Sequence, residues 1–397
     1  MIKKYIQLPF IYMDRYYRKQ IVKTSGYLFC FLFNFRSLLR GKDVLFRYVG
    51  SGKYSVISKK YKRFFYSKSQ NLFSFSNGIS ERAVVIGNDY MLDSINFLDG
   101  DVIIDCGANI GDLKLYFDES NIDIEYYGMG EKLDNPRGLP KKLNNCVFLF
   151  THYFGKSNVP ILKYIEQCAD ESVVIIEDCV QSCLSKNTGT KGDYLIHSLR
   201  KFLPVPDGAI LESNTELDLS ISKPNEEFIS NKLISKLLKG FNIENDKEYL
   251  FYYKKGEEIL DSKIIPREMS SFSKYIFSNI NLNHIHKKRI KNWLALNEFF
   301  NKSSLNTKLL VSVYQNDKNI NIPLTYPVKI QNNQRAKILK HLREKKVFCP
   351  IHWKLPKTNN KILLEDYKLS KEIFSIPIDQ RLSTDDINSL INILISI

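Results

Sequence analysis

The sequence predicts an α/β fold built on a parallel sheet, and three observations carry that prediction. Short apolar runs at Val102–Ile104, Ile122–Tyr127, Cys146–Phe150, Val173–Ile176, Tyr194–Ser198 and Ala209–Glu212 alternate with stretches of helical periodicity. Two of them pass straight into an acid, at Asp105 and Asp178, where a strand ends. The chain of 397 residues is 44% apolar and 13% aromatic, long enough for two domains with real cores. That composition excludes a disordered chain or a disulfide-stapled miniprotein.

The elements follow in order. An apolar run at 83–86 and a short helix over 91–97 precede the turn Asp99-Gly100-Asp101 and the strand at Val102. A glycine loop leads into a helix over 110–117, then the strand at Ile122. Residues 128–145, rich in Gly, Pro, Lys and Asn, form a loop or seam between two units. The second unit opens with the strand at Cys146 and continues through a helix over 159–167 and the strands at 173, 194 and 209. Helices are expected over 226–239 and 270–300, a strand over 323–329, and a closing helix over 385–395. No internal repeat is visible. The division expected is 1–70, 71–130, a seam at 131–145, 146–300 and 301–397.

Charge divides the chain unevenly. Residues 1–70 hold sixteen Lys and Arg against Asp14 and Asp43 alone, so nearly all of the net +15 lies there, with seventeen of the fifty aromatic residues. A helix with a basic face and a small strand pair both fit this segment. Basic stretches studded with aromatics suit nucleic acid or anionic membranes, but no nucleic-acid motif accompanies this one, so no nucleic-acid partner is expected. A weak contact with an anionic membrane through residues 1–70 is. The apolar stretch Tyr27–Phe35 is too short to span a bilayer and too deep in the chain for a signal peptide. Seven scattered cysteines without a CxxC pair point to reduced thiols and no metal site. A cytoplasmic location is expected, peripheral at the inner face of the membrane.

The segment 102–111 (VIIDCGANIG) places an acid at a strand end and glycines where the backbone turns into a helix. Such a turn exposes helix-start N–H groups and lets a nucleotide or nucleoside approach closely; a turn with Gly107 and Gly111 there for geometry alone fits equally. With Glu81-Arg82, the stretch 90–112 and Ile124-Glu-Tyr-Tyr-Gly128, it resembles the first half of FkbM-family S-adenosylmethionine-dependent methyltransferases over about residues 45–129. The resemblance implies that Asp105, Gly107, Asn109 and Gly111 match the loop holding the methionine end of S-adenosylmethionine. The ribose-gripping glutamate of that family falls on Gly130, with Glu131 one place late, which leaves the loop a vestige.

A second constellation follows. Asp178 ends the strand starting at Val173, at the carboxyl edge where α/β sheets bind ligands, and Lys201 follows the next strand after a short turn. Both can reach one pocket. The ordinary alternatives are a helix-capping aspartate and a solvated lysine. The phrases Thr151-His-Tyr-Phe-Gly155, Ile176-Glu-Asp-Cys-Val-Gln-Ser182, the run 192–201 (GDYLIHSLRK), Pro204-Val-Pro-Asp-Gly208, Phe348-Cys-Pro-Ile-His-Trp353 and the run 369–381 resemble the DegT/DnrJ group of sugar aminotransferases. The likeness covers about residues 136–397 and lacks the family's N-terminal part.

That resemblance implies pyridoxal phosphate as cofactor, with Lys201 as the Schiff-base lysine, Asp178 as partner of the pyridine nitrogen, Gln181 near the ring hydroxyl and Ser198 on the phosphate. It implies an amino-acid donor, a sugar-nucleotide acceptor and a homodimer. His352 lies near the substrate mouth without a catalytic role, and His197 is a packed strand histidine. The fold expected is thus a partial Rossmann-like methyltransferase unit, then an incomplete fold-type I pyridoxal-phosphate transferase α/β domain with a small C-terminal α+β domain. Function is read first as an aminotransferase of surface-polysaccharide (O-antigen-type) biosynthesis, impaired if the N-terminal part is lost. The alternatives are a sugar O-methyltransferase and a non-catalytic fusion remnant.

Overall fold

The computed structural model describes residues 16–17, 20–21, 23–42, 44–50, 53–57, 62–66, 102–106, 123–217, 219–241, 246–262, 265–302, 309–314, 321–331, 334–352, 355 and 360–397. The expected run at 83–86 and the helices over 91–97 and 110–117 lie outside these residues. The chain divides into two compact units, Met1–Asp93 with Ala108–Asn121, and Ser94–Gly107 with Ile122–Ile397.

In the first unit a helix and a group of strands occur together, but the helix has no basic face, since its one basic residue, Arg36, is buried, and the strands number three instead of two. Helix α1 (Gly26–Leu39) precedes three antiparallel strands in the order β1 (Leu45–Gly50), β2 (Lys53–Ile57), β3 (Lys62–Tyr66). Phe29, Phe33, Phe46 and Tyr54 form the core, with the Phe33 and Phe46 rings 4.2 Å apart. Aromatic residues spaced at a helical period on α1 meet aromatics spaced at the strand period, so one seam satisfies both. The Asn34 side chain pins α1 to β1: its Nδ2 donates to Phe46 O (2.8 Å) and its Oδ1 accepts from Phe46 N (2.7 Å).

The second unit is built on a six-stranded sheet. It contains β4 (Val102–Cys106), β5 (Asp123–Tyr127), β6 (Cys146–Thr151), β7 (Val174–Asp178), β8 (Tyr194–Ser198) and β9 (Ala209–Ser213), in the order β5-β4-β6-β7-β8-β9. All neighbours are parallel except β8 and β9. The two strands expected in a methyltransferase-like unit, β4 and β5, thus hydrogen-bond directly into the sheet that carries Asp178. Segment 131–145 is a connection within that sheet's unit. It docks on the C-terminal region through Asp366, whose Oδ1 accepts from Met129 N (2.7 Å) and whose Oδ2 accepts from Arg137 Nη2 (2.9 Å).

Helix α2 (Val159–Cys168) connects β6 to β7 in the right place for a parallel crossover. After β9 come α3 (Glu226–Gly240) and α4 (Asp246–Ser262), packed on each other. Helix α4 is not among the elements expected from the sequence, because Gly256 interrupts its pattern. That glycine leaves room for Lys232 of α3, since a Cβ there would sit 2.9 Å from Lys232 Cε; the buried Lys232 ammonium pairs with Glu257 and lies 3.6 Å from the centre of the Tyr253 ring.

The single helix expected over 270–300 is two, α5 (Ser271–Asn279) and α6 (Leu282–Lys302), broken where Ile280 adopts an extended backbone. A second sheet then forms from β10 (Leu310–Ser312), β11 (Tyr326–Ile330) and β12 (Ile373–Ile376), all antiparallel, with α7 (Arg335–Glu344), α8 (Leu364–Glu372) and α9 (Thr384–Ile395) around it. Trp293 and Phe300 of α6 pack on Tyr326, 5.6 and 5.3 Å between ring centres, in the main core. Burying each such side chain contributes about 1.5–3 kcal/mol.

Candidate active site

Parallel register sets the site. Thr151, Asp178 and Ile196 are partners across β6, β7 and β8, so Asp178 stands at the carboxyl edge of the sheet with Ser198 two residues further along β8. β8 then tightens into a 3-10 turn at Leu199–Lys201, which ends on Lys201.

The Asp178 carboxylate accepts hydrogen bonds from Val180 N (2.9 Å) and from the Thr151 hydroxyl (3.3 Å). Burial pushes its pKa up, against those two donors and the nearby charge of Lys201. The same Lys201 charge acts on His352. Burial and then Lys201 lower that imidazole to about 4. Lys201 itself is exposed, and its charge acts on both Asp178 of the large sheet and His352 of the C-terminal region. His352 Nε2 lies 2.7 Å from the hydroxyl of Ser375 on β12, and its ring meets Phe154 edge-on at 5.1 Å.

The remaining expected residues are arranged more loosely. Gln181 is turned to the Thr151–Gly155 segment, where its Oε1 accepts from Phe154 N (3.0 Å); its Nε2 takes no part in that bond. The Ser198 hydroxyl does not cap the turn that follows. His197 packs toward β9, with Nε2 3.1 Å from Glu212 Oε1, as a strand residue. Of the glycine loop, Asp105 lies in β4 opposite Tyr126. Gly107, Asn109 and Gly111 lie outside the described residues.

Two supports were missed by sequence reasoning. The first is the buried pair beneath Asp178: His152 Nε2 is 2.6 Å from Glu177 Oε1, and His152 Nδ1 accepts from Asn158 N (2.8 Å), which assigns the ring proton to Nε2. Glu177 also accepts from the backbone N–H groups of Gly189, Thr190, Lys191 and Gly192 at 2.5 to 3.1 Å. Burial alone would raise its pKa, but the His152 donor and these N–H groups hold it down to about 2. The signal was present as the Glu-Asp pair at 177–178.

The second support holds the turn after Lys201. Gln380 Nε2 donates to Phe202 O (2.8 Å), and Gln380 Oε1 accepts from Arg289 Nε (2.8 Å). Arg289, buried, also bonds the carbonyls of Pro323 and Leu324 and lies over the Phe202 ring at 4.9 Å. These contacts join residues far apart in sequence, which single-segment patterns do not reveal.

A half-buried carboxylate at a sheet edge, already holding two neutral donors and with its pKa raised by desolvation, suits one further cationic N–H donor. A primary amine stands within electrostatic reach of it. Such a set could hold a pyridoxal phosphate ring, the carboxylate at its nitrogen and the amine at its aldehyde.

No family model matches the sequence, and no curated protein matches it. Solved structures do. An aminotransferase from Psychrobacter cryohalolentis is 13% identical, with a TM-score of 0.50 over 79% of this chain and 84% of that one. The aminotransferase TlmJ from Streptoalloteichus hindustanus is 13% identical, with a TM-score of 0.51 over 79% and 83%. Residues 136–397 make up only about two thirds of the chain, so the likeness in fold reaches back before residue 136, into the segment expected as methyltransferase-like. The chain therefore shares the mixed α/β fold of these aminotransferases, from a point before residue 136 onward.

Proposed function

We propose that the protein is a pyridoxal-phosphate-dependent aminotransferase that moves an amino group from an amino-acid donor to a keto sugar carried on a nucleotide. The observation that carries this reading is the placement of Asp178, at the edge of β7, and Lys201, at the end of the turn after β8, at the ends of neighbouring strands on a fold matched by aminotransferases. The continuity of β4 and β5 with β6 supports a large domain that extends before residue 136. A homodimer belongs to the same reading.

The residues would divide the work. Asp178 would accept the hydrogen bond of the ring nitrogen beside those it takes from Val180 N and Thr151, and would hold that proton in place by its charge. Lys201 would hold the cofactor through its amine and would serve as the base that moves a proton at the substrate carbon bearing the amino group. Gln181 and Ser198 orient the ring from the hydroxyl and phosphate sides. The bound cofactor supplies an electron sink for the carbon that bears the amino group.

The test is chemical. Protein incubated with pyridoxal phosphate and reduced with borohydride should carry the cofactor on a peptide containing Lys201, together with a visible absorbance band before reduction that Lys201→Ala abolishes. Label on another lysine, or none, would overturn the assignment.

A further inference from the structure

Helix α1 is apolar on two opposite sides. Phe29, Cys30 and Phe33 are buried against its own sheet. The other side carries Tyr27, Leu28, Phe31, Phe35, Leu38 and Leu39, all exposed, with Tyr27, Phe31 and Leu38 at 74%, 69% and 76%. At 100° per residue these six positions fall within an arc of about 120° that contains no charged side chain. A contiguous apolar face of this size on a small unit marks a contact surface.

Charge decides what it fits. The surrounding segment 1–70 carries nearly all of the chain's +15, with the exposed Lys23 and Arg40 just beyond the two ends of α1 and the exposed Arg47 on β1. Two copies of this chain meeting through α1 would bring two such basic segments together, which opposes a symmetric dimer there. The face is also richer in aromatics than a lipid-spanning helix needs, and at 14 residues α1 is about 21 Å long, short of a bilayer core. Among the described residues no helix is long and apolar enough to cross a membrane. Tyr and Phe beside Lys and Arg are the residues of a helix lying in the headgroup region.

We infer that the exposed face of α1 docks the protein on a bilayer surface bearing anionic lipid headgroups, with Leu28, Phe31, Phe35 and Leu38 entering the headgroup layer and the surrounding cations holding the lipid phosphates. The catalytic reading above is independent of this docking.

The full chain is floated with vesicles of neutral phosphatidylcholine and with vesicles containing phosphatidylglycerol, at low and high salt. Binding should appear with the anionic vesicles, weaken as salt rises, and fall about tenfold or more in F31S/F35S/L38S. A melt of that variant by circular dichroism checks that it is folded. A second variant needs no loss of function: Leu28→Trp keeps the face apolar and adds a reporter to a helix without tryptophan, and its emission should shift to the blue with anionic vesicles and be quenched by brominated lipid. Failure to bind either vesicle would overturn the inference. So would binding that the triple variant does not change, an unshifted Leu28→Trp emission, or a change of oligomeric state in the variant by size-exclusion chromatography, which would make the face a contact between copies.

Discussion

His152 and Glu177 form a buried pair, Nε2 to Oε1 at 2.6 Å, directly beneath Asp178. Glu177 is one residue before Asp178 on β7, so with strand alternation it points to the opposite side of the sheet. There it gathers four backbone N–H groups of the loop 189–192 and ties that loop to the strand. The pair belongs to the framework that sets where the Asp178 edge lies, and it gives the first prediction.

Glu177→Gln should destabilise the protein by about 3 kcal/mol, because an uncharged amide cannot accept from His152 and four N–H groups together. The wild-type pKa of about 2 is below the ordinary carboxylate value. The stabilising contribution is therefore complete above the unfolded-state pKa of about 4.3 and is lost as pH falls through 2. Urea unfolding from pH 7 to 2 should show the wild-type curve falling toward that of the variant. Parallel curves at all pH values would contradict the assignment.

His352 titrates near 4, depressed first by burial and then by Lys201. A histidine depressed on folding contributes stability that is complete above its unfolded pKa of about 6.5 and is lost as pH falls toward 4. In Lys201→Met the imidazole pKa should rise but remain below 6.5, since burial is the larger cause. The imidazole proton shift in an NMR titration reads this directly, and an unchanged value would mean that Lys201 does not lie beside His352.

If the proposed transamination is the activity, Asp178→Asn should lower its rate by about 10²-fold or more while leaving the fold intact, because an amide would not hold a charged ring nitrogen. Cofactor release on dialysis should also become faster. The far-ultraviolet spectrum should not change, since Val180 N and Thr151 can bond the amide oxygen.

Gly155→Ala should cost more than about 3 kcal/mol. The glycine has φ +91°, and a Cβ there would lie 2.1 Å from Ile322 O. The close approach lets Phe154 sit beside His352 and lets Leu324 N bond Phe154 O at 2.9 Å. A melting temperature within a degree of wild type would show that segment 322–324 moves aside freely.

Much of the large sheet was legible from the chain itself. The strands at 146, 174, 194 and 209 and the helix at 159 are close to where apolar period and length put them, because short apolar runs bounded by turn residues mark strands whether parallel, as at 146 and 174, or antiparallel, as at 209. Asp178 and Lys201 could be singled out for the same reason: strand ends are visible in sequence, and ligands bind at strand ends. The pieces that escaped include α4, α7 and α8, whose apolar faces are narrow or broken by Gly, Tyr and Lys, and the strands β10 and β12, which are only three and four residues long, so that their identity depends on what covers them.

By itself the sequence determined the alternation of strands and helices, the position of the acid and the lysine at neighbouring strand ends, and the concentration of positive charge in residues 1–70. Those properties are local, set by periodicity and composition. Tertiary structure alone decided that β4 and β5 complete the same sheet as β6, and that Gln380 and Arg289 clamp the turn after Lys201. It also decided that His352 sits within the field of Lys201, and that one side of α1 is left uncovered. Each of these depends on strand order or on pairs separated by many residues. Strand partners are chosen by hydrogen bonding and packing across the whole unit, and a one-dimensional pattern carries no record of that choice.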